Sequence, residues 1–194
     1  MLVGFAILGD LFGLSIAAFY LAIGHYWGAV IIVICCACFA FVPFILRGTG
    51  SADRAGNFYC LVLIAGFLAL CAVEGGMHGH ALAWLASSPM CALLLTSRRA
   101  AYGWGGLAFL CAAAVVVFDL LGHSMPILYP AEWHGPVTAV GYVTLVAFMF
   151  ILGIIFETGR VAAFDRMQAT LKELAEANTH LTQLNEEKNE FLGI

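Results

Sequence analysis

The sequence predicts an all-α protein, a six-helix transmembrane bundle followed by a cytoplasmic coiled-coil helix. Three observations carry this. The 194 residues are 63% hydrophobic and only 10% charged, whereas a soluble domain is about half apolar and a quarter charged. Apolar runs recur at the length of roughly 20 residues that a helix needs to cross hydrocarbon. The charges are also segregated: of twenty Asp, Glu, Lys and Arg residues, ten lie after Thr158. A sparsely charged body therefore precedes a charged tail.

The expected spans are Leu2–Ile23, Gly28–Leu46, Asn57–Gly75, Ala81–Ser97, Gly103–Leu121 and Val137–Glu157. No Lys or Arg precedes the first apolar run, so it reads as a retained helix rather than a cleaved signal. The fourth span is short and carries Pro89. Gly, Ser, His and Pro dominate the joins, as turn chemistry requires.

The eight cations give the orientation. Arg47 and Arg54 lie between spans two and three, Arg98 and Arg99 between spans four and five. Arg160, Arg166, Lys172 and Lys188 follow span six. The other joins, 24–27, 76–80 and 122–136, contain no Lys or Arg. Cytoplasmic loops retain basic residues, so all eight cations agree on both termini inside. The same arrangement puts His25, His78, His80, His123 and His134 on the outer side. Glu74 and Asp119 stand at outer span ends. The stretch EGGMHGH, residues 74–80, is then an outer turn. Asp10 is the one acid deep in a span, within Gly9-x-x-x-Gly13, a close-packing motif of membrane helices; an interhelical hydrogen bond is its simplest role.

The seven cysteines all fall in apolar runs, their number is odd and no CxxC pair occurs. They read as small hydrophobes. Phosphate loops, nucleotide fingerprints and nucleophile triads are missing, so no catalytic residue is assigned, and nothing in the chain points to nucleic acid.

From Arg160 onward the pattern is that of an amphipathic helix. Phe164, Leu171 and Asn178 repeat every seven residues, with Met167, Leu174 and Leu181 in the companion positions. That is the a/d seam of a coiled coil, and a polar Asn at an a position fixes a parallel dimer in register. After Leu181 the spacing slips to Leu184, then Lys188 and Phe191. Such a slip lets two registers compete. A homodimer interface of Phe164, Met167, Leu171, Leu174, Asn178, Leu181 and Leu184 follows, with no Pro- or Gly-rich linker between it and span six.

The last residues, LNEEKNEFLGI, resemble the opening of the dimerisation helix of sensor histidine kinases. In that family the phospho-accepting histidine follows within a few residues. The resemblance implies a sensor region at 1–157, a signalling coiled coil at 158–188 and the start of a kinase dimerisation helix at 189–194. ATP, Mg2+ and a response regulator would belong to a kinase part beyond residue 194, and His180 lies upstream of the phosphorylated position. A second resemblance joins RGTGSADRAGN and GGMHGHALAWLASSPMCALLLTSRRAAYGW to six-helix membrane sensors related to quorum-sensing receptor kinases. Gly75, Gly76, Trp84, Pro89, Arg98, Arg99 and Trp104 match its pattern. His80 or a neighbour stands where Ser is common, and Ser97 replaces a Gly. The resemblance implies a bacterial inner membrane, a small apolar or amphipathic signal molecule, and contact with lipids.

The expected ligand-binding residues are Glu74, His78, His80, Trp84, Asp119, His123 and Trp104. Glu74 and Asp119 qualify because acids at membrane depth face a bundle interior or a partner; at span ends they are alternatively solvated. Trp84 and Trp104 line a cavity or else join the interfacial aromatic belt with Trp27 and Trp133. Imidazoles suit transition metals, so His78, His80, His123 and His134 are metal candidates, or pH sensors, or residues of a wet loop. A metal- or pH-responsive sensor is one alternative to the small-ligand reading, and a plain anchor and dimerisation module is another. A transporter would need broken helices and polar residues through several spans; only Asp10 is deep. The orientation is directly measurable. Alkaline phosphatase fused within 76–80 or 122–136 is active, and the same reporter after Arg54, Arg99 or Arg166 is inactive. The opposite pattern would reverse the topology.

Overall fold

The computed structural model describes residues 2–193, with side chains described for 2–184 and 193. Its helices are α1 (Leu2–Ala22), α2 (Tyr26–Ala40), α3 (Val42–Thr49), α4 (Ala52–Val73), α5 (Ala81–Trp84), α6 (Ser87–Leu95), α7 (Arg98–Leu120) and α8 (His134–Leu192). Single 3-10 turns occupy Gly76–His78 and Ala131–Trp133. Among the described residues the one strand-like pairing is an isolated antiparallel bridge between Glu74 and Ile127. The chain divides into two compact units, Met1–Phe150 and Ile151–Ile194.

Five helical segments are long and apolar enough to cross a membrane: Leu2–Ala22, Tyr26–Thr49, Ala52–Val73, Arg98–Leu120 and Ala131–Leu184. They account for five of the six expected spans. The fourth differs. Ala81–Leu95 is a shorter apolar helix, interrupted between Trp84 and Ser87. At about 1.5 Å per residue it reaches roughly 22 Å, short of a hydrocarbon core of roughly 30 Å. Pro89 is not the interruption. It sits in the first turn of α6, where its missing N–H would have had no helical partner. The second expected span also has a joint, where α2 hands over to α3 at Phe41 and Pro43 occupies the first turn of α3.

The bundle of the first unit packs through small residues. A Cβ on Gly13 would meet Cys36 Sγ at 2.5 Å, and one on Gly9 would meet Phe39 at 3.3 Å and the Tyr59 hydroxyl at 3.0 Å. The Gly9/Gly13 stripe thus brings α1 against α2, as small-xxx-small pairs do in membranes. Asp10, beside Gly9, keeps Oδ1 without a hydrogen-bond partner. All seven cysteines are free, with Cys36, Cys60, Cys71 and Cys91 buried. Large apolar side chains point outward on the same helices, among them Ile7, Leu11, Ile34, Phe109 and Leu110. A soluble core would bury them; a lipid-facing surface has no reason to.

At the other end of α4, Ser51 caps the helix by accepting from Arg54 N–H. The N–H of Ser97 donates to the Asp53 carboxylate, which ties the starts of α4 and α7 together.

The second unit is the remainder of α8. Phe164, Met167, Leu171, Leu174, Asn178, Leu181 and Leu184 are all exposed in the single chain. The ion pairs Arg160–Glu157 and Lys172–Glu176 are exposed and add little. The register positions Lys188 and Phe191, and the EKNEFL segment of the kinase resemblance, lie outside the residues whose side chains are described.

One packing contact is testable directly. A Cβ on Gly56 would collide with the Leu95 carbonyl, and backbone cannot yield as a side-chain tip does. Gly56→Ala is expected to cost about 1–3 kcal/mol as overpacking. It should lower the thermal midpoint of the detergent-solubilised protein, while Gly4→Ala, whose Cβ meets nothing within 4 Å, should not.

Candidate functional site

The turn after α4 is built around left-handed glycines. Gly75 has φ 91° and Gly76 φ 61°, conformations that cost an L side chain and suit glycine. Val73 O accepts from Leu128 N at 2.9 Å, and Glu74 bridges Ile127, so the loop after α7 clamps the end of α4. A Cβ on Gly79 would stand 2.6 Å from Glu74 O. The chain therefore doubles back tightly, and His80 returns over the residue at which the turn began.

The result sorts EGGMHGH into two halves. Glu74 is 0% exposed and His80 4%. Met77 is exposed, and the His78 side chain is 64% exposed. Glu74 meets three groups. The Tyr20 hydroxyl donates to Oε1 at 2.6 Å. His80 Nδ1 stands 3.2 Å from Oε2. His25 Nε2 stands 3.6 Å from Oε1. Tyr20 also touches His80 Nε2 at 3.2 Å, and His25 Nδ1 faces the Leu128 carbonyl at 3.3 Å. Tyr20 and His25 are themselves buried. Their rings lie 4.7 Å apart, and Tyr129 packs on the other side of His25 at 4.9 Å.

Two glycines make room for the imidazoles. A Cβ on Gly28 would strike the His25 ring, and one on Gly141 the His80 ring. The environment acts on the loop residues as expected of a dry site. Burial pushes the His80 imidazole below the usual histidine range, with Glu74 opposing the fall and His25 adding to it. Burial, and then the Glu74 charge, pushes the Tyr129 phenol up to about 12.

Next to this cluster lies an apolar cavity of about 90 Å3, walled by Phe12, Ile16, Leu63, Trp84 and Phe148 among others. Tyr20 and His80 are among its lining residues and give it a polar corner. Tyr59 also lines it, with a fully buried hydroxyl that has no hydrogen-bond partner. Trp84 is fixed by donation from Nε1 to Gly141 O at 3.1 Å and by packing on Phe67 and Phe148.

Of the seven expected ligand residues, then, Glu74, His80 and Trp84 come together. Asp119 does a different job. Its Oδ2 accepts from Met77 N at 3.2 Å and lies 4.0 Å from His78 Nε2, so it holds the outer half of the turn. His123 is exposed and packs on Phe118. Trp104 donates to Asn57 Oδ1 at 2.6 Å. Asn57 and Glu74 are separated by most of the length of α4, about 26 Å at 1.5 Å per residue, so Trp104 belongs to the other end of the bundle. Of the four metal candidates only His80 is in the cluster; His134 pairs with the Tyr129 hydroxyl at 3.0 Å.

Sequence reasoning left out Tyr20, His25 and Tyr129. A signal existed for the first two. Tyr20 is the one phenol of α1 and lies within a turn of its outer end. His25 follows Gly24, whose φ is 80°, in the tight join at the same level as Glu74. Comparison with family models, with curated proteins and with solved structures gives no significant match for this chain. The Tyr20–Glu74 bond can be weighed by itself. Tyr20→Phe is expected to cost about 1–3 kcal/mol, because a buried acceptor loses its donor. His78→Ala, on the exposed half, should stay within about 0.5 kcal/mol. Thermal unfolding in detergent compares the two.

Proposed function

We propose that this chain is the transmembrane sensor module of a two-component histidine kinase. It detects a small apolar or amphipathic ligand in the outer half of its bundle and signals through the helix that follows the last span. In this reading the protein is a homodimer in a bacterial inner membrane, with both termini cytoplasmic and the seam from Phe164 to Leu184 as its dimer contact. The kinase part that would follow residue 194 supplies ATP and Mg2+ chemistry and the response regulator.

The observation that carries the ligand side is the apolar cavity with its polar corner at Tyr20 and His80. Ligand sites are concave and mostly apolar, with a few placed polar groups that fix orientation. The joins between spans are too short for a separate outer domain, so recognition falls to the bundle itself. The volume also narrows the ligand. At about 90 Å3 it is smaller than a cavity of roughly 150 Å3 that accepts benzene. It therefore suits a molecule of a few heavy atoms, or the end of an amphipathic chain that enters from the lipid. The kinase side rests on the tail, where an exposed a/d seam leads toward EKNEFLG.

Filling the cavity tests the proposal. The chain is fused through its C-terminal helix to a histidine-kinase domain of known activity and reconstituted in lipid. Autophosphorylation is followed against short-chain alcohols and fatty acids. Val62→Phe and Ala81→Leu, each adding bulk to the cavity wall, are expected to reduce the response at least tenfold, with basal phosphorylation kept. Equal responses in the parent fusion and both variants would dismiss the cavity as the ligand site. Phosphorylation indifferent to every change in the bundle would leave it a membrane anchor.

A further inference from the structure

Three buried atoms in the Glu74 cluster have no hydrogen-bond partner: His25 Nε2, His80 Nδ1 and Glu74 Oε2. Their neighbours show why. The Leu128 carbonyl can only accept, so His25 carries its proton on Nδ1, and Nε2 of the neutral ring is a bare lone pair. Tyr20 commits its one hydroxyl proton to Glu74 Oε1. Its contact with His80 Nε2 is then made by an Nε2–H, and Nδ1 of His80 is a lone pair as well. Two imidazole lone pairs thus face one carboxylate. Acceptor against acceptor in a dry site is unfavourable unless an electrophile stands between them.

The spacing says which kind. His80 Nδ1 is 3.2 Å from Glu74 Oε2, yet the pair does not meet hydrogen-bond geometry. The two atoms are adjacent without being aimed at each other. Ligands that share a central ion stand this way. With bonds of about 2.0–2.1 Å in a tetrahedral zinc site, neighbouring donor atoms are about 3.3–3.4 Å apart. We propose that His25, Glu74 and His80 form a binding site for one divalent transition ion of the zinc class, ligated through His25 Nε2, the Glu74 carboxylate and His80 Nδ1.

The donor set fits that ion, since two imidazoles and a carboxylate are a recurrent zinc combination. So do the outer contacts. Ligating histidines donate their other ring N–H to a carbonyl or a polar side chain, as His25 does to Leu128 and His80 to Tyr20. Glu74, in turn, is oriented by Tyr20. Among the described residues no group of three or more His, Cys, Asp or Glu side chains is arranged to hold a metal ion as it stands, so the proposed site would have to close around the ion. His25 Nε2 stands 3.6 Å from Glu74 Oε1, the oxygen that accepts from Tyr20 rather than the one beside His80, and ion binding would draw it in. This site does not depend on the kinase reading, and its measurement is separate from signalling.

The full chain in lipid nanodiscs is stripped with chelator, loaded with Zn2+, freed of excess and analysed for zinc. One ion per chain is expected, and Co2+ in its place should give the intense visible bands of a low-symmetry, four-coordinate site. His25→Ala and Glu74→Gln should each retain less than a tenth of an ion, with folding checked by circular dichroism and gel filtration. The His78→Ala/His123→Ala double variant should retain the full amount. Tyr20→Phe, which leaves all three ligands, should weaken binding about 10- to 100-fold. Folded wild-type protein that holds no zinc and gives only the spectrum of hydrated Co2+ would overturn the proposal, and the electrophile would be a proton. Zinc that is lost with His78 and His123 instead would overturn it equally.

Discussion

A carboxyl group withdrawn from water at the C-terminal end of α4 constrains the elements packed around it. Glu74 has no exposed surface. Leaving a buried acceptor without its donor costs about 1–3 kcal/mol, so the surrounding elements must each supply something. Tyr20 comes from α1, His25 from the join before α2, His80 from the turn after α4. The loop after α7 adds its backbone through Ile127 and Leu128. Four parts of the chain are ordered around this one residue, in a region where apolar attraction between helices is weak because lipid is equally apolar.

That constraint explains the glycines better than flexibility does. Gly75 and Gly76 adopt left-handed backbone, and Gly79 lets the chain pass close to Glu74 O. Gly28 and Gly141 are straight helical positions, yet each lies flat against an imidazole. What looks in the sequence like a flexible stretch is a tight frame that sets two buried rings. The apolar cavity beside it takes its polar corner from Tyr20 and His80 of the same cluster.

Much of the fold was legible because membranes impose a simple rule: backbone polar groups must be satisfied within the segment, so long apolar runs become helices. Five of the expected spans coincide with such helices. The short fourth run behaved differently. Ala81–Leu95 is a shorter apolar helix, and its break between Trp84 and Ser87 coincides with no proline or glycine. The candidate site was legible in part. Glu74 and His80 stand out in the sequence as polar residues at a span end and in the join that follows, and Trp84 as a position of the resembled pattern. His78, Asp119 and His123 carry the same signal of polar residues at span ends and joins, but His78 and His123 are exposed and Asp119 braces the turn. Nothing in their spacing separates them from His80, because side chains two residues apart in a turn point apart.

The sequence by itself determined that the chain is helical and apolar enough for a membrane, with a charged heptad tail. It also placed an acid and several histidines at one end. Those features depend on composition, run length and local period, which the residues carry with them. The packing of the helices brings His25 and His80 against Glu74 and leaves His78 and His123 exposed. His25 and Glu74 are separated by three helices in the chain, α2, α3 and α4, and their meeting depends on how α1, α2 and α4 pack on one another. Such a contact is a property of three surfaces together, and no local pattern encodes it.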